Sequence, residues 1–124
     1  MVALRRNSRL SGREAINEVM RRGRRASRGG LAVYISQSKS LNTRIAVIAP
    51  KKTDKRAVKR NKLRRQIGEI MRKIIPQMTK PLNIVIYVGA KASTFDFGHL
   101  EEVLTSLFKN FLNIHSAFEI GICN

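Results

Sequence analysis

Between residues 51 and 73 the chain reads KKTDKRAVKRNKLRRQIGEIMRK, with eleven Lys or Arg and two acids, Asp54 and Glu69. A segment this charged can be ordered only if one side finds apolar packing while the other stays in solvent. At about 100° per residue, Leu63, Ile67, Ile70, Met71 and Ile74 gather on one side of a helix, a stripe suited to lying on a sheet. Asn61, Arg65, Gly68 and Arg72 fall at i, i+4, i+7 and i+11, which predicts a narrow stripe on roughly the opposite side. A solubilising helix face interleaves signs so that Glu and Lys pair one turn apart, whereas here most cations have no acidic neighbour. Such self-repulsion predicts an anionic partner. Thr53 is the expected N-cap, with Asp54 in the first turn, and Pro76 closes the helix near Ile75 after about six turns.

The rest of the chain must supply the surface on which that helix lies. With 124 residues it is read as one domain, and 43% hydrophobic residues beside a net charge of +17 exclude low-complexity disorder. Residues 1–73 hold 22 Lys or Arg and 4 acids, while residues 74–124 hold 3 and 4. A footprint this uneven fits nucleic acid best and an anionic membrane surface second. Cys123 is the single cysteine, so no intrachain disulfide can form and a reducing compartment is expected. No apolar run approaches the ~20 residues needed to span a bilayer, and the basic N-terminus is not followed by a secretory apolar stretch. A cytoplasmic location is expected.

Along the chain, residues 1–10 read as a basic arm. Ser11 and Glu14 form a capping box for a helix over about 12–22, whose apolar stripe is Ala15, Ile16, Val19 and Met20, with Gly23 as its stop. Residues 24–30 are a basic loop or short edge strand ending in Gly29-Gly30. Strands are predicted at 31–37, 44–49 and 82–88, with 38–43 as a turn or hairpin loop. The near-continuous apolar character of 82–88 predicts a strand covered on both faces. Ser93 with Asp96 is the expected cap of a last helix, which carries Leu100, Val103, Leu104, Leu107, Phe108 and Phe111 at core spacing. Residues 113–124 read as an apolar tail that packs. The fold class is therefore α+β: a single domain with a central, mostly antiparallel sheet of about four strands and three helices.

The chemistry of cleavage has no evident home in this chain. His99 and His115 lack partner spacing, and Asp54 and Glu69 are isolated among cations, so no general acid–base pair and no carboxylate cluster for a metal is expected. Tyr34, alone among small side chains on its strand face, is either a stacking platform for a base or a half-buried strand tyrosine. Any catalysis is expected to belong to a partner.

Lys51-Lys52, Arg56-Ala57, Arg60-Asn61 and Arg64-Arg65 together resemble the signature of the bacterial ribonuclease P protein component: KK, a short spacer, then A-x-x-R-N-R-x-(K/R)-R-x-x-R. The sharp match covers residues 51–65, and the order of elements is similar over nearly the whole chain. Lys62 stands where the family has Arg, keeping the charge but losing the bidentate fork. Gly68 stands where the family has a further Arg, so Gly68→Arg is expected to strengthen RNA binding if that position faces RNA. In the first helix, Ala15 and Met20 occupy the places of two aromatic rings that line a cleft in the family.

The resemblance implies the ribonuclease P protein / ribosomal protein S5 domain 2-like architecture. It implies a subunit of an endoribonuclease whose RNA carries the active site, holds the catalytic Mg2+ and cleaves precursor tRNA at the mature 5′ end. The protein, monomeric by itself and with no small-molecule substrate, would bind ribonuclease P RNA and the single-stranded 5′ leader. RNA contact is then expected at Lys51, Lys52, Arg56, Arg60, Asn61, Lys62, Arg64, Arg65 and Arg72, where Arg grips phosphate bidentately and Asn hydrogen-bonds a base or sugar. Met20 and Tyr34 are expected in the leader groove, and no catalytic residue in the protein. The alternative is a basic ribosomal protein packing on ribosomal RNA, against which an Asn set inside the stripe discriminates.

Overall fold

The computed structural model describes residues 10, 12–38, 42–78 and 80–119, with backbone alone from 110 onward. The arm before Leu10, Ser11, the side chains of Phe111 and His115, and Cys123 lie outside the described residues. Helix α1 (Arg13–Arg22) leads into strands β1 (Arg24–Arg28), β2 (Leu31–Gln37) and β3 (Arg44–Ile48). Helix α2 (Ala57–Ile74), strand β4 (Leu82–Val88) and helix α3 (Phe97–Glu119) follow. β1 and β2 form a hairpin through Gly29 at φ 59° and Gly30 at φ 87°. Two consecutive positive φ values are what a type I′ turn needs and what glycine supplies.

The sheet runs β1-β2-β4-β3, with β1/β2 and β2/β4 antiparallel and β3/β4 parallel. Two of the three pairings are thus antiparallel. Residues 38–43 do not make a hairpin, because β4 lies between β2 and β3. The physical reason is burial: LNIVIYV is the most apolar strand and takes the centre, where both its faces are covered. Parallel neighbours cannot be joined by a tight turn, so α2 is the crossover between β3 and β4.

One face of the sheet, with Leu31, Val33, Ile45, Ile84 and Ile86, packs on Leu63, Ile67, Ile70 and Met71 of α2 and on Leu100, Leu104 and Phe108 of α3. The other face meets α1 through Leu10, Val19 and Val85, with Ala15, Ile16, Met20, Tyr34, Ala46 and Ile48 half-buried around them. Leu10 also donates its backbone N–H to the Ile45 carbonyl at 2.8 Å, lying along the outer edge of β3. The apolar stripe predicted for the basic helix is therefore its buried side.

Several boundaries differ from expectation. Thr53 is not the cap of α2: it is 3% exposed, and its hydroxyl donates to the Val88 carbonyl at the end of β4. The helix starts four residues later with Arg56 as N-cap, because residues 50–55 form a turn pinned to the sheet. It ends at Ile74, 18 residues and about five turns, before a short 3-10 turn over Ile75–Gln77 that holds Pro76. The N-cap of α1 is Gly12, and the anticipated capping box, which needs Ser11, lies outside the described residues. Gly23 does stop α1, in an extended conformation, and a Cβ there would lie 2.5 Å from the Val19 carbonyl oxygen and 2.8 Å from that of Ile35. Asp96, not Ser93, caps α3, accepting the His99 N–H at 2.8 Å, while the Ser93 hydroxyl bonds the Ala90 carbonyl. Residues 113–119 extend α3 rather than starting a separate tail.

Candidate nucleic-acid interface

Helix α2 and the turn before it present Lys51, Lys52, Arg56, Asn61, Lys62, Arg64, Arg65 and Arg72 as exposed side chains, with Arg60 half-buried. Their arrangement is set by the turn. Asp54 accepts Arg56 Nε at 3.0 Å, Arg56 Nη2 at 2.9 Å and the Arg56 backbone N–H at 2.9 Å. The side-chain and backbone hydrogen bonds from Arg56 hold the Asp54 carboxyl at about 2, and the same pairing raises Arg56 above its ordinary value. Arg56 is thus charge-paired within the turn.

Arg60 and Arg64 reach back from the first turns of α2. Arg60 Nη1 donates to the carbonyls of Asp54 at 2.9 Å and Lys55 at 3.0 Å. Arg64 Nη2 donates to the Ala49 carbonyl at 3.1 Å and its Nη1 to Asn61 Oδ1 at 2.8 Å. A guanidinium carries five N–H donors, so these bonds leave donors on each fork for phosphate oxygens. The arginines therefore order the turn and the helix start before any ligand arrives, which lowers the entropic cost of binding.

Asn61, Arg64, Arg65 and Val58 line a shallow depression of about 560 Å³ on the helix. Val58 is 78% exposed, an apolar residue at i−3 from Asn61 on the same stripe. It was legible in the sequence as an apolar position off the packing side, yet the reading of the charges passed over it. Gly68 departs from expectation in the other direction. Helical geometry puts it in the middle of the Asn61–Arg65–Arg72 stripe, but it is buried. The continuous stripe is therefore interrupted between Arg65 and Arg72.

Met20 and Tyr34 lie on the opposite face of the sheet, both half-buried against the Leu10, Val19 and Val85 cluster. Neither is a free platform; each spends part of its surface on packing under α1. Tyr34 has a partner the sequence reading missed, Arg25 on β1, its register neighbour. Arg25 Nε donates to the Tyr34 hydroxyl at 3.2 Å, and the guanidinium carbon stands 5.8 Å from the ring centroid. The predicted residues thus fall into two places, a cationic helix on one face and a partly buried apolar cluster under α1 on the other. Among the described residues no group of three or more His, Cys, Asp or Glu comes together, and His99 is stacked on Phe95 with centroids 3.9 Å apart.

The protein-family model for ribonuclease P matches residues 4–112 of this chain. Over 109 residues the chain is 31% identical to the ribonuclease P protein component of Pseudanabaena sp. (strain PCC 6903), covering 87% of this chain and 94% of that protein. The fold superposes on the Staphylococcus aureus ribonuclease P protein with a TM-score of 0.76 at 19% identity, over 82% of this chain and 93% of that one. For the Thermotoga maritima ribonuclease P protein the TM-score is 0.73 at 25% identity, over 82% and 96%. With the family model matching most of the chain and a relative above 30% identity covered nearly end to end, the chain belongs to the ribonuclease P protein component family.

Proposed function

We propose that this chain is the protein subunit of ribonuclease P and binds both the catalytic RNA and the single-stranded 5′ leader of precursor tRNA to promote 5′ end maturation. What supports this most is the pre-ordered run of cations from Lys51 to Arg65, in which Arg60 and Arg64 are held in place by the turn's own carbonyls. Placed where two polyanions converge, those charges neutralise phosphates and release counterions. The half-buried surface at Met20 and Tyr34, with Tyr34 held by Arg25, would take the leader on the other face of the sheet.

Cleavage itself is assigned to the RNA subunit. The Mg2+ is assigned mainly to the RNA subunit, as the family resemblance implies. Among the described residues no helix is long and apolar enough to cross a membrane, and the cytoplasm is the compartment we assign. The protein alone is taken to be monomeric. A ribosomal role is not favoured by the family match.

Reconstitution tests the assignment. Bacterial ribonuclease P RNA and labelled precursor tRNA are incubated at low magnesium with and without the protein. Protein-dependent release of the 5′ leader is the expected result. A folded protein that gives no stimulation with several ribonuclease P RNAs, its cognate one included, would sink it.

A further inference from the structure

The corner between α1 and β1 carries cations that the basic helix does not account for. Residues 21–28 read RRGRRASR, five Arg in eight with no acid. The first 30 residues hold nine Arg and no Lys, whereas residues 31–124 hold ten Lys and six Arg. A face that only keeps a protein soluble takes Lys as readily, while Arg supplies a planar fork that grips two phosphate oxygens at once. Gly23 fixes how these side chains stand. It alone links α1 to β1, its N–H donates to the Val19 carbonyl at 2.7 Å, and a Cβ there would meet the carbonyl oxygens of Val19 and Ile35. The end of α1 is therefore pressed onto β2, and Arg21, Arg22, Arg24, Arg25 and Arg28 are exposed around the corner.

The charge there is scarcely offset within the protein. Arg25 is engaged by Tyr34 and Arg28 by the Ser106 hydroxyl of α3, both neutral groups. Among the described residues the one acid paired with the run is Glu18, 3.9 Å from Arg22. The negative end of the α1 dipole suits Arg21 and Arg22, but it does not explain the arginines on the strand. β1 is an edge strand, and α2 starts beyond the end of β3 at the other edge. Three interstrand spacings, about 14 Å, separate the two edges. Arg24 is also level with Ile45, near the start of β3, so the corner lies diagonally across the sheet from the start of α2.

We infer that this corner is a second contact for ribonuclease P RNA, in which Arg21 and Arg24 grip phosphates of a double-stranded segment apart from the one on α2. This rests on the proposed partnership with the RNA subunit. Tyr34 is taken up by Arg25, so the corner offers forks and no free ring, which suits phosphate rows rather than unstacked bases. The RNA subunit fits better than the substrate. A sequence-blind patch on the tRNA body would hold mature and precursor tRNA alike and erode a preference that depends on the leader.

The test measures binding of the full chain to ribonuclease P RNA alone, across a salt series. Arg21→Gln with Arg24→Gln is expected to lower the slope of log affinity against log salt by about two, with the Tm kept because both side chains are exposed. Arg21→Lys with Arg24→Lys is expected to keep the slope and to bind several-fold more weakly. Arg13→Gln with Lys109→Gln removes the same charge from exposed sites elsewhere and is expected to leave the slope as in wild type. A wild-type slope in the Arg21/Arg24 glutamine pair overturns the inference, as does an equal fall in the Arg13/Lys109 pair, which would make the effect one of net charge. With the holoenzyme assembled at saturating protein, the glutamine pair is expected to keep the wild-type ratio of precursor to mature tRNA binding. A changed ratio places the corner on the substrate and overturns the inference. Cleavage by the wild-type holoenzyme at low magnesium is read in parallel: its absence sinks the functional assignment, whereas stimulated cleavage beside an unchanged slope sinks the corner alone.

Discussion

Asn61 and Arg64 are joined one turn apart on α2, Asn61 Oδ1 accepting Arg64 Nη1 at 2.8 Å while Arg64 Nη2 holds the Ala49 carbonyl at 3.1 Å. An asparagine placed among cations thereby sets the plane of a guanidinium and ties the helix to the end of β3. Its own amide is oriented by the same bond. Arg65, on the next position, lines the same depression with neither bond.

Arg64 and Arg65 should therefore respond differently to replacement. Arg64→Lys keeps the charge but loses the planar fork that spans Asn61 and Ala49. We expect it to weaken RNA binding several-fold with the salt dependence nearly unchanged. Arg65→Ala should weaken binding and lower the slope of log affinity against log salt by about one. Salt titrations of both variants with ribonuclease P RNA check this, and equal slopes for the two would refute the distinction.

Gly68→Arg, which restores the family's residue, is expected to destabilise the fold rather than add an RNA contact. Gly68 is buried, and inserting a long charged side chain there forces overpacking worth about 1–3 kcal/mol. Denaturant melts measure the loss. Unchanged stability with tighter RNA binding would show that position 68 is open after all.

Thr53→Val tests the anchor of the turn. The Thr53 hydroxyl is buried on the Val88 carbonyl, and valine keeps the shape but removes the donor. A loss of about 1–3 kcal/mol is expected, together with weaker RNA binding as the positions of Lys51 and Lys52 loosen. A variant as stable as wild type would rule out Thr53 as an anchor.

The Asp54–Arg56 pair predicts a specific acid response. The Asp54 carboxyl is lowered from 3.8 to about 2, chiefly by the Arg56 side-chain hydrogen bonds. A depressed folded value stabilises the protein above the unfolded pKa, and that contribution is lost as pH falls from about 4 through about 2. NMR titration should find the Asp54 midpoint near 2 in the wild type. In Arg56→Ala it should return partway toward 3.8, because the backbone N–H at residue 56 remains. A midpoint near 3.8 in the wild type would refute the pairing in solution.

The local elements were largely legible in the residues. Strands 31–37 and 82–88, the core stripe of the basic helix and that of the last helix follow from periodicity, because side-chain spacing and burial are the same fact seen twice. The cationic surface was legible too, since eleven Lys or Arg among 23 residues leave no apolar alternative. Tertiary structure decided what no period encodes. It placed β4 between β2 and β3, so the strands on either side of residues 38–43 are not paired neighbours. It spent Thr53 on the Val88 carbonyl and moved the helix start to Ala57, because a buried carbonyl at a strand end needs a donor that local capping rules do not see. It buried Gly68 within a stripe of charges, paired Arg25 with Tyr34, and left Asn83 Oδ1 buried without a partner. Composition and periodicity set what α2 is; the path of the turn before it, pinned to the sheet by Thr53, set how Arg56, Arg60 and Arg64 are held.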